Sequence, residues 1–376
     1  MTDGLRRFAR EDVIPVIAPW VASKAIVGVG ILLARDLLDH LRAAPRPVAA
    51  VQGLFAWDAA YYRDVAQGGY DAVEQAGLRF FPLLPLVARG LAAPLGGRVG
   101  PVIVLLVWTA ALMYGALLHR FVVVETGDRA LARRSVWIGL LAPPALCLVL
   151  GYAEAVLALA AVGAFLAARR GHWWWAAFAG CAAALARPTG VLLVLPLAVE
   201  AYLALRRGAT EGRGRVGMVA AVFAPAAGLA TYLSWSAVAG NGFTEPLSIQ
   251  SSAQLRGGFV PPWTSLHGAL DALGSGDRLG SGLHLVWAIV VLACVVAAAR
   301  RLPASCTVWA AASIFVALCA PNLDSFERYA LVTFPVVVGA GVITARPRDL
   351  FPAVTVLAGA GLLGATVLAA MGRLVP

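Results

Sequence analysis

Charge is scarce in this chain. Asp, Glu, Lys and Arg make up 13% of its 376 residues and 60% are hydrophobic, whereas soluble domains carry roughly 25% charge. That balance excludes a water-soluble globular protein and points to an all-α polytopic membrane protein. Lysine is nearly absent, the 30 basic residues including only Lys24; with the abundance of alanine this is the composition of a high-GC bacterial genome. Cysteine is sparse too, and Cys147, Cys181, Cys294, Cys306 and Cys319 lie in or beside apolar runs without metal-ligand or disulfide spacing. They read as small buried hydrophobes, and no metal or cofactor is expected. There is no Asp-x-Asp motif of the kind that binds nucleotide sugars. Although the net charge is +10, there is no contiguous basic face, so nucleic acid is not an expected partner. No small-residue cleavage site follows the first apolar run, so the N-terminus reads as a signal anchor. Without repeats or a soluble segment, residues 1–376 read as a single transmembrane domain.

A membrane helix needs about 20 mostly apolar residues. That ruler predicts about 11 spans, near 13–34, 101–124, 135–150, 153–168, 173–186, 190–205, 216–239, 283–299, 303–320, 329–344 and 351–371. Arginines cluster in alternate short connections: Arg6, Arg7 and Arg10; Arg129, Arg133 and Arg134; Arg169 and Arg170; Arg206, Arg207, Arg213 and Arg215; Arg300 and Arg301; Arg346 and Arg348. By the positive-inside rule these are cytoplasmic, as is the N-terminus. Two long connections then fall outside, about 35–100 and about 240–282. Within the first, Trp57, Tyr61 and Val65 share a side at helical spacing, with Asp58 and Tyr62 beside them. An interfacial helix is expected there, ended by Gly68 and Gly69.

The polar residues of a lipid-embedded chain are its candidate site. Asp58 follows Trp57 in an aromatic setting that favours a proton acceptor; it reads equally as a helix cap or a solvated loop acid. Asp64 is assigned to an ion pair with Arg63 or another nearby cation. Glu154 opens the fourth span, as a site residue or as an interface-level cap. Arg187, in Ala186-Arg187-Pro188-Thr189-Gly190, can hold a phosphate bidentately or snorkel from a span end. Glu327, Arg328 and Tyr329 crowd a late turn, where Arg328 either neutralises a leaving phosphate or pairs with Glu327. Lys24, His119 and Glu200 read as structural or lipid-facing groups. The site residues map to the outer face, which suits a substrate with a membrane-bound phosphate and a polar sugar.

Four elements in order resemble one family. Trp57-Asp58-Ala59 with Tyr62 and the run to Tyr70, followed by Phe80-Phe81-Pro82 and Pro85, is similar to the first lumenal loop of the PIG-V family, the GPI mannosyltransferase II proteins and their bacterial relatives. Gly151-Tyr152-Ala153-Glu154-Ala155, the Arg187–Gly190 turn, and Glu327-Arg328-Tyr329 with Pro335 resemble its later elements. Pro188 and Thr189 stand where eukaryotic members tend to have Ser-Asn. The resemblance implies a GT-C glycosyltransferase: a multi-pass cell-membrane protein with an extracytoplasmic active site, taking mannose from polyprenyl-phosphate-mannose. The acceptor is a lipid or glycan hydroxyl; the GPI acceptor is not expected in a bacterium. Asp58 is implied as the catalytic base. Arg187 and Arg328 are then expected to bind the donor phosphate, and Trp57, Tyr61, Tyr62, Tyr70, Arg79, Glu154 and Glu327 to contact substrate. A transporter or lipid flippase is the alternative, but no paired internal repeat supports it.

Overall fold

The computed structural model describes residues 2–41, 47–208, 212–252, 255–275, 282–347 and 349–375. Arg348 of the last arginine cluster lies outside them, as do parts of both long connections, 42–46, 253–254 and 276–281. Every regular element among the described residues is helical. Among the described residues, five helical stretches are long and apolar enough to cross a membrane: Asp3–His40, Val99–Thr126, Pro188–Arg206, Arg213–Val238 and Leu350–Ala370. This is the architecture of a multi-pass membrane protein.

The expected count of about 11 spans is not confirmed among the described residues. Leu83–Leu95, Trp173–Ala186, Leu283–Ala299 and Ala304–Leu318 are apolar helices too short for the same criterion. Proline accounts for two further departures, since it removes a backbone donor and clashes with the preceding turn. The run expected over 135–150 is a helix only to Leu141, after which Pro143–Leu148 tightens into a 3₁₀ turn. The run expected over 329–344 breaks just before Pro335 into Phe326–Val332 and Phe334–Ile343, bent by 84°.

The chain divides into two compact units. The first holds residues 1–74, 83–159 and 340–376. Its long helices meet at small residues, as expected where helices pack without a hydrophobic drive from water. A side chain on Gly30 would strike Thr366, and one on Gly361 would strike Pro143. Tryptophan donors lock the bundle, Trp20 Nε1 to the Trp108 carbonyl at 2.8 Å and Trp108 Nε1 to the Val149 carbonyl at 2.9 Å. His119 is buried against Asp12, Nδ1 to Oδ1 at 3.0 Å, with Arg120 3.3 Å from the same carboxylate. Of the two readings of His119, structural or lipid-facing, the structural one holds: it belongs to a buried ion cluster.

The second unit holds residues 75–82 and 160–339. Trp173–Ala186 packs against Arg213–Val238, where Gly180 admits Pro225 and Gly228 admits the Cys181 carbonyl. Glu200 likewise takes the structural one of its two readings: it is buried, pairs with Arg169 at 3.2 Å and accepts a short hydrogen bond from Ser305. A buried carboxylate holding both a guanidinium and a hydroxyl is a structural tie between helices. Tyr232 donates to the Leu78 carbonyl at 2.7 Å and stacks on Trp235, fixing residues 75–82 to this unit.

Candidate functional site

In the first unit the helix Asp58–Gly68 begins at Asp58 and buries Ala59, Tyr62, Val65 and Ala66, a stripe at helical spacing. It ends where Gly69 turns with φ +84° and donates to the Val65 carbonyl at 2.8 Å. Just before it, Trp57 has φ +59°. Among the described residues only Trp57 and Ser325 are non-glycine residues with positive φ, a conformation that costs a bulky side chain on the order of 1–3 kcal/mol. Trp57 is held there by an indole donation to the Ala369 carbonyl at 3.1 Å. The strained residue thus fixes the direction in which Asp58 leaves the helix start.

Asp58 is half-buried. Its backbone N–H lies 3.3 Å from the Tyr152 hydroxyl, and Tyr152 is fully buried. Gly151 donates to the Leu54 carbonyl at 3.0 Å, and a side chain there would press on Ala59, Phe55 and Ile103. The Gly151–Ala155 element is thereby docked against the start of the Asp58 helix. Glu154, 1% exposed, opens the helix Glu154–Arg169. Two acids thus sit at helix starts. Arg63 takes Asp64 at 2.9 Å and lies over Phe55. Tyr62 is buried in the core, whereas Tyr61 and Tyr70 keep part of their surface accessible.

The second unit contains a cavity of about 380 Å³, within the usual range for small-molecule sites. Arg79, Arg187, Arg256, Thr189 and Tyr329 line it together with apolar side chains that include Leu192, Leu229 and Val316, and no described lining residue is acidic. Arg187 reaches it because the residue before a proline leaves the helical region: its φ and ψ are −153° and 148°, and the helix Trp173–Ala186 stops there. The guanidinium of Arg187 is 5.5 Å from the Tyr329 ring centre, and its Nη2 is 3.3 Å from the Tyr329 hydroxyl. Arg79 lies over Phe80 at 4.7 Å.

Arg256 has no counterpart in the sequence reading. It sits 4.7 Å over the Tyr329 ring and donates from Nη2 to the Ala317 carbonyl at 2.8 Å. The loop around it is fastened by Asn322 Nδ2 to the Leu255 carbonyl at 2.9 Å and by Ser265 to the Leu318 and Ala320 carbonyls. The only local hint was one charge beside two glycines, Arg256-Gly257-Gly258. Tyr329 therefore supports guanidinium groups from two distant stretches of sequence.

Arg328 and Glu327 are placed differently from Tyr329. Arg328 is buried, 3.2 Å from the Ser325 hydroxyl, and neither residue is among those lining the cavity. Glu327 takes His284 Nδ1 at 2.6 Å, and Asp324 lies 3.6 Å from His284 Nε2. The Asp324 carboxyl is held below the ordinary carboxylate range, chiefly by hydrogen bonding with His284 against an opposing effect of burial. This cluster anchors the start of the helix Phe326–Val332. Among the described residues no group of three or more His, Cys, Asp or Glu is placed to hold a metal ion.

No family model matches the chain, and no curated protein matches it. Among solved structures it is similar to the archaeal oligosaccharyltransferase AglB from Archaeoglobus fulgidus in complex with an inhibitory peptide and a dolichol-phosphate. That likeness has a TM-score of 0.45 and 12% identity, covering 93% of this chain and 55% of that one. It is also similar to an Archaeoglobus fulgidus oligosaccharyltransferase in complex with zinc and sulfate, with a TM-score of 0.45 and 13% identity, over 93% of this chain and 52% of that one. The chain spans about half the length of these solved chains.

Proposed function

We propose that this protein is a GT-C-type mannosyltransferase of the cell membrane. It transfers mannose from polyprenyl-phosphate-mannose to an extracytoplasmic lipid or glycan hydroxyl with inversion, and Asp58 is the general base. The observation that carries the reading is the cavity of Arg79, Arg187 and Arg256 with apolar walls and no described acid among its lining residues, in a chain whose described residues include five membrane-length apolar helices. Guanidinium groups match phosphate geometry, and apolar walls suit an isoprenoid chain. The PIG-V resemblance of Trp57–Tyr70, Gly151–Ala155, Arg187–Gly190 and Glu327–Tyr329 supports the sugar, the carrier and the outward-facing site.

As the acceptor oxygen bonds to the anomeric carbon, Asp58 takes the hydroxyl proton. The bond from that carbon to the phosphate oxygen breaks, and its electron pair becomes charge on the carrier phosphate. A phosphate leaving group needs charge stabilisation rather than the second carboxylic acid of a glycosidase. Arg187 supplies it, with Arg79 beside the same cavity. Glu154, Trp57, Tyr61 and Tyr70 are assigned to substrate contact. Arg328 supports this chemistry through Tyr329, the neighbouring residue that lines the cavity.

The test is purified full-length protein in nanodiscs with labelled polyprenyl-phosphate-mannose and a native lipid extract. The expected result is a labelled product together with free polyprenyl phosphate. Arg187→Ala is expected to lower kcat/KM about 10- to 1,000-fold, the effect of removing a stabiliser of transition-state charge. Movement of labelled lipid between leaflets without any product would overturn the assignment in favour of a flippase.

A further inference from the structure

Transfer changes the charge that the cavity holds. A sugar-charged carrier is a phosphodiester with one negative charge. Once the sugar leaves, the carrier is a phosphate monoester, which approaches two negative charges above its second pKa of about 6. Arg79, Arg187 and Arg256 line the cavity, and a dianion gains more from neighbouring guanidinium groups than a monoanion does.

Two donors there are also unused. Arg256 Nε and Thr189 Oγ1 are buried and make no hydrogen bond within the protein, although both residues line the cavity. Burying donors without acceptors is unfavourable, and a bound oxyanion would satisfy both. Arg256 is prepared for that role: its Nη2 is committed to the Ala317 carbonyl and its face to Tyr329, so little side-chain freedom remains to be lost on binding.

We infer that Arg256 and Thr189 form the part of the cavity that receives the charge released onto the carrier, so that the discharged polyprenyl phosphate binds more tightly than the sugar-charged donor and inhibits the enzyme. This rests on the carrier being a polyprenyl phosphate, as proposed above. Turnover is then governed by the reactions that recharge the carrier or remove it from the outer leaflet.

Binding of farnesyl phosphate to the full-length protein in nanodiscs tests this without any acceptor or sugar transfer. Farnesyl methyl phosphate, inorganic phosphate and farnesol serve as comparisons. At pH 7.5 the monoester is expected to bind at least about 10-fold more tightly than the methyl diester, and the preference to shrink at pH 5.5 as the monoester takes up a proton. Arg256→Ala is expected to weaken monoester binding about 10- to 100-fold, as for loss of a charged hydrogen bond, and Thr189→Val several-fold. Arg256→Gln loses the charge and the Nη2 bond to the Ala317 carbonyl but keeps an amide donor near the Nε position; it too should lose the preference, and an unchanged melting curve separates a lost anion site from a disturbed loop. Equal binding of monoester and diester, or a preference that survives both Arg256 variants, would overturn the inference. So would inorganic phosphate binding as tightly as farnesyl phosphate, which would make the occupant a free anion rather than a lipid carrier. A preparation that binds as expected but yields no mannosylated product would overturn the transferase reading alone.

Discussion

Asp58→Asn is expected to lower mannosyl transfer by about 100- to 10,000-fold, the usual contribution of a positioned general base, with little change in donor KM or in thermal stability. Asparagine has nearly the same shape and is as good as aspartate at a helix start. The contact that holds this position uses the Asp58 backbone N–H and the Tyr152 hydroxyl, and the exchange leaves it in place. The unusual backbone of Trp57, pinned to the Ala369 carbonyl, is likewise unaffected. What is lost is the ability to accept a proton. Initial rates with labelled donor, alongside melting curves in detergent, separate this from misfolding. Asp64→Asn is the control, because Asp64 is 44% exposed and paired with its neighbour Arg63, an arrangement worth about 0–1 kcal/mol. Wild-type turnover in the Asp58 variant would remove Asp58 from the mechanism.

How far such a site can be read in advance depends on which interactions are local. The helix Asp58–Gly68 and its stop at Gly69 follow from spacing and from two adjacent glycines. The break at Arg187-Pro188 follows from proline chemistry, and the long apolar runs around Val99–Thr126, Arg213–Val238 and Leu350–Ala370 follow from length alone. The runs expected over 135–150 and 329–344 are interrupted, because the consequence of Pro143, Pro144 and Pro335 depends on what the freed backbone groups meet. Arg256 was invisible for a different reason. Its partners, the Ala317 carbonyl and the Tyr329 ring, are more than sixty positions away, and its neighbours Gly257 and Gly258 read as loop. The Glu327–Tyr329 element shows the same limit within three residues. The triplet is conspicuous, yet only the packing decides that Tyr329 lines the cavity while Glu327 meets His284 and Arg328 meets Ser325. Neither the φ of Trp57 nor that of Ser325 could be read from residue type, since both positions resist that conformation.

Gly190→Ala is expected to damage both the fold and the cavity with a single methyl group. Gly190 closes the turn that follows Arg187, donating to the Arg187 carbonyl at 2.9 Å. A Cβ at this position would lie under 3.0 Å from the carbonyl carbon and oxygen of Ala183 and from the nitrogen of Ala184. Those are backbone atoms within the helix Trp173–Ala186, so no side-chain rotation relieves the clash and the turn itself must move. Overpacking of this kind costs about 1–3 kcal/mol and sometimes more. Because Arg187 and Thr189 lie on the displaced turn, binding of polyprenyl phosphate should fall together with the melting temperature. Gly90→Ala is the matched control: Gly90 lies in the helix Leu83–Ala92, and its added Cβ would meet nothing within 4 Å. Removing a helical glycine there should be neutral or stabilise by about 0.5–1 kcal/mol. Melting curves in detergent and farnesyl phosphate binding on both variants decide the matter. A Gly190→Ala protein that melts and binds like the wild type would show that the turn is not held by this close approach, and that Arg187 owes its place to Pro188 alone.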